Sequence, residues 1–371
     1  FGNIFGTGWG VSPHTVKLLY FTVIEKALLY GASVWGGALS KAQISRLHSI
    51  QRIFLLKFSR PFRTTPANAL NVILSIPPLH FVARSQFLKF QIWNLRSKNY
   101  LDIFGPDLLD EYRDIKIIDS RNKNLDLSSP VEEDFVVYTN GFRIEDNVGF
   151  SVCIFDNGFL RPVFCFKFNY YNSFFEAELS AINFAVCWAP ENGVRIKIFS
   201  DSFTSIDVLA STSIKSSFVL NIKENIVRAN GLVHLTWVRA HAGNPGNDLA
   251  DHFEKNCYRL WRNLRVPAPY SFLKKRCFEN MIYNWNIYWN NSETGERVRK
   301  FLPKVDTETL ITNRSLIYFA INHRPFPACL FGVKLLNSPN CPYGKFGDAD
   351  YFIFQCNLTR EFHLSPPAAN P

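Results

Sequence analysis

Four residues pose the chemical question in this sequence: Asn140, Glu178, Asp201 and Asp251. Glu178 lies in FFEAELSAI, Asp201 in KIFSDS, and Asp251 ends WVRAHAGNPGNDLAD. The three acids are far apart in sequence but each stands at the edge of an element, so folding can gather them on one patch. Gathered carboxylates suit Mg²⁺, which takes oxygen ligands and keeps waters and substrate oxygens. Two such ions about 4 Å apart activate a water and stabilise the leaving oxygen of a phosphodiester. Asn140, in DFVVYTNG, stands where a fourth acid would complete the set. Two neighbouring acids have plainer uses. Glu176 fits a capping box with Ser173. Asp248, one turn before Asp251, fits a solvated charge near a helix dipole.

These positions need a scaffold. From Glu133 the pattern turns β-like, first in DFVVYT. GFSVCIF and LRPVFCFKF flank Asp156-Asn157-Gly158, a hairpin signal. FEAELSAINFAVCWA reads as a helix stopped by Asn192-Gly193. VRIKIFS and VHLTWV read as strands; SFTSIDVLAS, KSSFVLNIKENIVRAN and NDLADHFEKNCYRLW read as helices. The order βββαβαβα predicts an α/β fold with a mixed five-stranded sheet and flanking helices. Sites in such sheets form beyond the carboxyl ends of parallel strands. On this reading Asn140 follows the first strand and Asp201 the fourth. Glu178 lies near the start of the first helix and Asp251 on the last.

The flanks divide the rest. Residues 1–98 read as amphipathic helices, one carrying Arg46, Arg52, Lys57 and Arg60. Residues 99–130 are polar and irregular and read as a linker. Residues 131–260 are the α/β domain, and residues 261–371 are a basic helical segment. There Lys274, Lys275, Arg276, Arg297, Arg299 and Lys300 alternate with Trp261, Phe272, Tyr283, Trp285, Tyr288 and Trp289. Interleaved bases and aromatics can bind phosphates and stack nucleobases; at helical spacing the same aromatics build a core.

Composition narrows the classes. At 47% hydrophobic and 19% charged, the chain has ordinary globular content. No apolar run reaches the roughly 18 residues of a membrane span, so no membrane partner is expected. No basic stretch precedes an apolar core at the N-terminus, so no secretory signal is read. The eight Cys are therefore expected as reduced thiols and the chain as intracellular, nuclear or cytoplasmic, and not secreted. Phe1 and a lone Met281 suggest a fragment of a longer product. The net charge of +10 is uneven: Lys+Arg against Asp+Glu is 16 to 7 over residues 1–124, 11 to 15 over 131–260, and 14 to 8 over 261–371. Basic flanks around an acidic centre fit a polyanion binder with a metal-binding middle.

As a set, the motifs resemble type 1 ribonuclease H. YTNG is similar to the family's Tyr-Thr-Asp-Gly, AELSAI to its Ala-Glu-Leu helix, and FSDS to its Tyr-Ser-Asp-Ser. WVRAHAGNPGNDLAD is similar to Trp-Val-x-x-His-x-Gly-x-x-Gly-Asn-x-x-Ala-Asp. The resemblance implies Mg²⁺-dependent endonucleolytic hydrolysis of RNA in an RNA–DNA hybrid, leaving 3′-hydroxyl and 5′-phosphate ends. It implies Glu178, Asp201 and Asp251 as ligands of a two-ion Mg²⁺ site, and His241 on a loop that helps product leave. No small-molecule ligand is implied. Asn140 takes the first Asp position, which bridges both ions, so this chain lacks one of four catalytic carboxylates. Hybrid hydrolysis is expected to be impaired and Mg²⁺ to be held weakly at Asn140. Phe142 stands where the family often has Ser.

The flanks extend the resemblance. LLYFTVIEKALLYGASVWGG and RIFLLKFSRPFRTTPANALNVILSIPPL resemble the segment after the reverse transcriptase core of non-LTR, LINE-like retrotransposon polyproteins. CPYGKFGDADYFIFQC resembles their terminal zinc-knuckle-like motif, Cys-x-Cys-x7-His-x4-Cys. Cys341 and Cys356 keep two positions, while Tyr343 and Tyr351 replace a Cys and the His. Two thiolates do not make a four-ligand zinc site. Asp348 and Asp350 are further oxygens nearby. Asp to Asn, Cys to Tyr, His to Tyr and Ser to Phe are each one codon transition, the pattern of a decaying copy. Two alternatives to a hybrid nuclease therefore stand: a non-catalytic nucleic-acid-binding module, and a decayed pseudogene product.

Overall fold

The computed structural model describes residues 12–104, 109–111, 133–144, 147–229, 231–240, 242–243, 245–256, 262–323 and 325–365. The chain forms two compact units. One is residues 96–275; the other joins residues 1–95 to residues 276–371. These two units, one of them discontinuous, cut across the boundaries read at 1–98, 99–130, 131–260 and 261–371. The reason lies in burial: a helical segment with one apolar face needs a second layer to cover it.

In the unit spanning 96–275, seven strands form one mixed sheet. They are β1 (Phe135–Ile144), β2 (Asn147–Asp156), β3 (Phe159–Leu160), β4 (Phe164–Lys167), β5 (Ile196–Ser200), β6 (Val233–Trp237) and β7 (Arg262–Asn263). Their order is β6-β5-β1-β2-β4-β7, with β3 on β2. β1 pairs antiparallel with β2 and parallel with β5, and β5 pairs parallel with β6. The mixed α/β fold is as the pattern predicts. The count is seven rather than five because two-residue strands carry no legible pattern. β3 ends ahead of Pro162, which has no N–H to give a ladder. The hairpin turn before β3 has Asn157 and Gly158 at positive φ, 48° and 84°. That is the backbone that Asn-Gly provides at tight hairpins.

The helix Phe174–Asn192 covers one face of the sheet and ends at Gly193 in the left-handed region. Val137, Phe150, Val152, Ile154, Leu179, Ile182, Ile196, Ile198 and Leu235 form the core. Helices Phe203–Ala210, Ser217–Arg228 and Pro245–Asn256 complete the unit.

Three expectations are corrected here. Asn140 does not follow the first strand. β1 continues to Ile144 because its long antiparallel partner β2 extends the ladder past the end of β5. The region read as linker holds a helix, Lys98–Phe104, and Leu109 bridges to Ala268. Residues 105–108 and 112–130 lie outside the described residues. Cys165, on β4, is disulfide-bonded and not a free thiol. Pairing depends on which sulfurs the fold brings within bonding distance, and composition carries no such information.

In the discontinuous unit, the Lys41–Ser59 helix opens with a capping box: Gln43 N donates to Ser40 Oγ at 3.3 Å and Ser40 N to Gln43 Oε1 at 2.8 Å. Pro66 and Pro78 cap helices Ala67–Ile73 and Leu79–Trp93. Leu55, Leu70, Ile73 and Leu79 pack in one core with Trp285, Trp289, Val298 and Ile317. Several residues of the basic-aromatic run are therefore structural. Trp285 and Trp289 are fully buried. Arg299 lies over the Trp289 ring at 4.8 Å and donates to Ser292 O at 2.7 Å. Arg297 makes a bidentate pair with Asp350 at 2.6 and 2.7 Å. No helix among the described residues is long and apolar enough to cross a membrane.

Candidate nuclease site

Three neighbours of β1 meet at Asn140. On the parallel side the last pair is Thr139 with Ser200, so Asn140 and Asp201 are the next residues of adjacent strands. On the antiparallel side Asn140 pairs with Ser151. Ser151 Oγ donates to Ala250 O at 3.1 Å, which ties the Pro245–Asn256 helix to β2 one residue before Asp251. Asn140 itself is buried, at 5% exposure.

Two glycines permit this approach. A Cβ on Gly141 would stand 2.8 Å from Glu178 N, 3.0 Å from its Cγ and 3.1 Å from its Cδ. The Glu178 carboxyl therefore lies against β1 at Gly141, and Glu178 is fully buried. A Cβ on Gly246 would stand 2.1 Å from the Tyr138 ring, so the Pro245–Asn256 helix also rests directly on β1. Residues alternate across a strand. Gly141 faces the Glu178 helix, while Tyr138, Asn140 and Phe142 share the opposite face. Phe142 is fully buried, with Gly149 opposite it making room for its ring.

Asp201 is held from both ends. Trp237 Nε1 donates to its carbonyl at 3.1 Å and Asn247 Nδ2 donates to its Oδ2 at 3.3 Å. Asn247 is fully buried, and no described residue donates to its Oδ1. It sits one turn before Asp251 on the same helix. The motifs give Asn247 no role by themselves; the GNDLAD spacing is the one signal that points to it, since residues four apart share a helix face.

The Asp251 backbone is helical, but its side chain lies outside the described residues, as does all of His241. Glu176 does not enter the site. Its carboxylate accepts from Ser173 N at 2.8 Å and Ser173 Oγ at 2.5 Å. Burial raises its pKa, the Ser173 hydrogen bonds oppose this, and Asp110 adds to the rise. Asp248 is exposed.

Among the described residues, no three of His, Cys, Asp and Glu form a metal-binding group. The donors at this place are two described carboxylates, Glu178 and Asp201, and the Asn140 amide. All three offer oxygen, the donor type that a hard cation takes.

Residues 132–258 match the family model of RNase H. This segment is a ribonuclease H domain. Over 104 residues the chain is 33% identical to the 115 kDa protein of type-1 retrotransposable element R1DM from Drosophila melanogaster. The match covers 27% of this chain and 10% of that protein, so the chain spans only a small part of the curated relative. The crystal structure of the prototype foamy virus protease-reverse transcriptase aligns with a TM-score of 0.30 at 16% identity, over 35% of this chain and 21% of that one. The ribonuclease H domain thus lies within the unit formed by residues 96–275, and Asn140, Glu178, Asp201 and the Asp251 backbone all fall inside it.

Proposed function

We propose that this chain is part of a retrotransposon protein and that its ribonuclease H domain engages RNA–DNA hybrids at the edge of the sheet around Asn140. Glu178, Asp201 and Asp251 would hold divalent metal, Mg²⁺ in the first place, with His241 on the loop through which product leaves. The ions, when bound, would supply an activated water and charge stabilisation at the leaving oxygen. The observation that supports the reading is the family match over residues 132–258, with Glu178 packed on Gly141 and Asp201 level with Asn140 in the parallel register.

Asn140 weakens this site. An amide can offer one oxygen to a cation, but it brings no charge and its NH₂ would repel the second ion. One charge lost at about 4 Å, at an effective dielectric near 20, is on the order of 4 kcal/mol per ion. That corresponds to roughly a thousandfold in rate or metal affinity. The fold tolerates the change, because removing a like charge relieves repulsion among carboxylates. Hybrid binding is therefore expected to outlast hydrolysis.

The test is hybrid cleavage with Mg²⁺ and with Mn²⁺ by the native chain and by Asn140→Asp. The expected result is slow or absent cleavage by the native chain and a gain of roughly a thousandfold in the variant. Cleavage by the native chain at the variant's rate would refute the role given to Asn140. A folded but inactive Asn140→Asp would refute the rest of the site. A second reading, binding without cutting, draws on the charge of the discontinuous unit. That unit holds 20 Lys+Arg against 9 Asp+Glu. It predicts hybrid affinity that falls steeply with salt in both proteins.

A further inference from the structure

The C-terminal segment holds a buried cluster that the nuclease reading leaves unused. Cys341 and Cys356 are 4% and 0% exposed. A tight turn carries Cys341: Gly344, at φ 78°, donates its N–H to Cys341 O at 2.8 Å, and Cys341 N donates to Lys345 O at 2.8 Å. Tyr343 N donates to Cys341 Sγ at 3.3 Å, while the Tyr343 ring is exposed. The short helix Ala349–Phe354 brings Tyr351 back over this turn, with Tyr351 Oη 3.3 Å from Cys341 Sγ. Cys356 N donates to Tyr351 O at 2.8 Å, and both sulfurs bear on the titration of the Tyr351 hydroxyl. Positions 341, 351 and 356 of the knuckle-like motif therefore meet, and at 343 only the backbone amide reaches the sulfur.

The residues do not fit a zinc ion. A structural zinc site needs four sulfur, nitrogen or carboxylate donors. Here two sulfurs and a phenol are present. His363 Nε2 is engaged by Cys356 O at 2.9 Å. Asp348 Oδ1 accepts from Tyr351 N at 2.9 Å, and Asp350 is paired with Arg297. Burial pushes the Cys341 thiol up. Hydrogen bonds with Tyr351, Lys345, Tyr343 and Cys356 outweigh it and hold the thiol below its ordinary range. Tyr351 is pushed the other way, first by its hydrogen bond to Cys341 and then by burial. Opposite shifts of this kind mark two groups joined by one hydrogen bond.

We propose that this knuckle closes without metal, the Tyr351 hydroxyl bridging Cys341 and Cys356 where a zinc ion would otherwise stand. The hydroxyl has one proton and two lone pairs, so it accepts from the Cys341 thiol and donates its own proton towards Cys356, and the turn and the short helix stay joined through hydrogen bonds alone. The two tyrosines then differ in kind. Tyr351 is the bridge, and Tyr343 has simply vacated a ligand position on the turn.

The full chain, produced with zinc in the medium, is the material for the test. Metal content, melting with and without chelator, and limited proteolysis of residues 327–365 are the readouts. The native chain is expected to hold substoichiometric zinc and to melt independently of chelator. Tyr351→Phe should open the segment roughly fivefold more to protease, as for loss of one ordinary hydrogen bond. Tyr343→Cys with Tyr351→His should bind zinc at one ion per chain and become chelator-sensitive. Stoichiometric zinc in the native chain would overturn the proposal, as would a Cys341–Cys356 disulfide found by mass spectrometry. Unchanged proteolysis of Tyr351→Phe would overturn the bridging role. A double variant that takes no zinc would mean that the four positions do not converge.

Discussion

Gly141 decides whether the buried acid reaches β1. Any side chain there would meet Glu178 at its backbone nitrogen, 2.8 Å from the added carbon, and backbone cannot step aside as a flexible side chain can. Gly141→Ala is expected to cost about 1–3 kcal/mol, the usual penalty for overpacking a fitted contact. Urea unfolding of the two proteins measures it, and equal midpoints and slopes would sink the argument. In an Asn140→Asp background the same change should also slow hybrid cleavage, because it moves Glu178. At this scale the residue types are legible: the acids, the amide and their order stand in the sequence. Asn247 is not, because its contact is with Asp201, 46 positions away, and depends on how a helix is laid on the sheet.

At the scale of elements, the segment ahead of β1 is part of the domain. Asp110 is 6% exposed and caps the Ser217–Arg228 helix. It accepts from Ser216 Oγ at 2.6 Å, Ser217 Oγ at 2.8 Å and Phe218 N at 3.0 Å. A carboxylate at a helix N-terminus satisfies donors that have no partner inside the helix. Asp110→Ala is expected to destabilise the domain by about 1–3 kcal/mol, since buried donors lose their acceptor. Chemical unfolding of the full chain, followed through the circular dichroism of the sheet, measures the loss; an unchanged midpoint for the domain would count against the cap. The same element explains why the linker expectation fails. Polar, Asp-rich sequence looks like a linker, and nothing local tells a solvated Asp from one serving a helix more than 100 residues on. Strand and helix types are legible because burial on one face imposes period two or 3.6. The end of β1 is not, because pairing with β2 sets it.

For the molecule as a whole, two units carry different charge and different pH responses. Residues 96–275 hold 21 Lys+Arg against 22 Asp+Glu, so the positive charge belongs to the discontinuous unit. That unit buries Glu25, whose Oε2 has no described hydrogen-bond partner. Burial pushes its carboxyl from 4.5 up to about 7, with Lys26 and Lys89 opposing. A carboxyl raised in this way holds its proton more tightly folded than unfolded. Its contribution is intact below the unfolded value and is lost as pH climbs from about 4.5 to about 7. Glu25→Gln should therefore match the native chain near pH 4 and exceed it at pH 8 by roughly 3 kcal/mol, at 1.36 kcal/mol per pKa unit. Stability curves of both proteins across that range test the sign, and parallel curves would show that Glu25 does not titrate in this window.

The sequence by itself determined the domain's chemistry: acids in a fixed order, an amide in place of one, and alternation that calls for a sheet under a helix. These are local or motif properties, and the physics of burial writes them into residue type and period. Tertiary structure alone decided the rest. It joined residues 1–95 to residues 276–371, because apolar helix faces are completed by whatever layer reaches them. It turned Trp285, Trp289, Arg297 and Arg299 from candidate ligand contacts into core and ties. It also laid Asn140 inside a strand, next to the glycine on which the buried Glu178 packs and level with Asp201, because pairing partners and not local propensity fix where a strand ends.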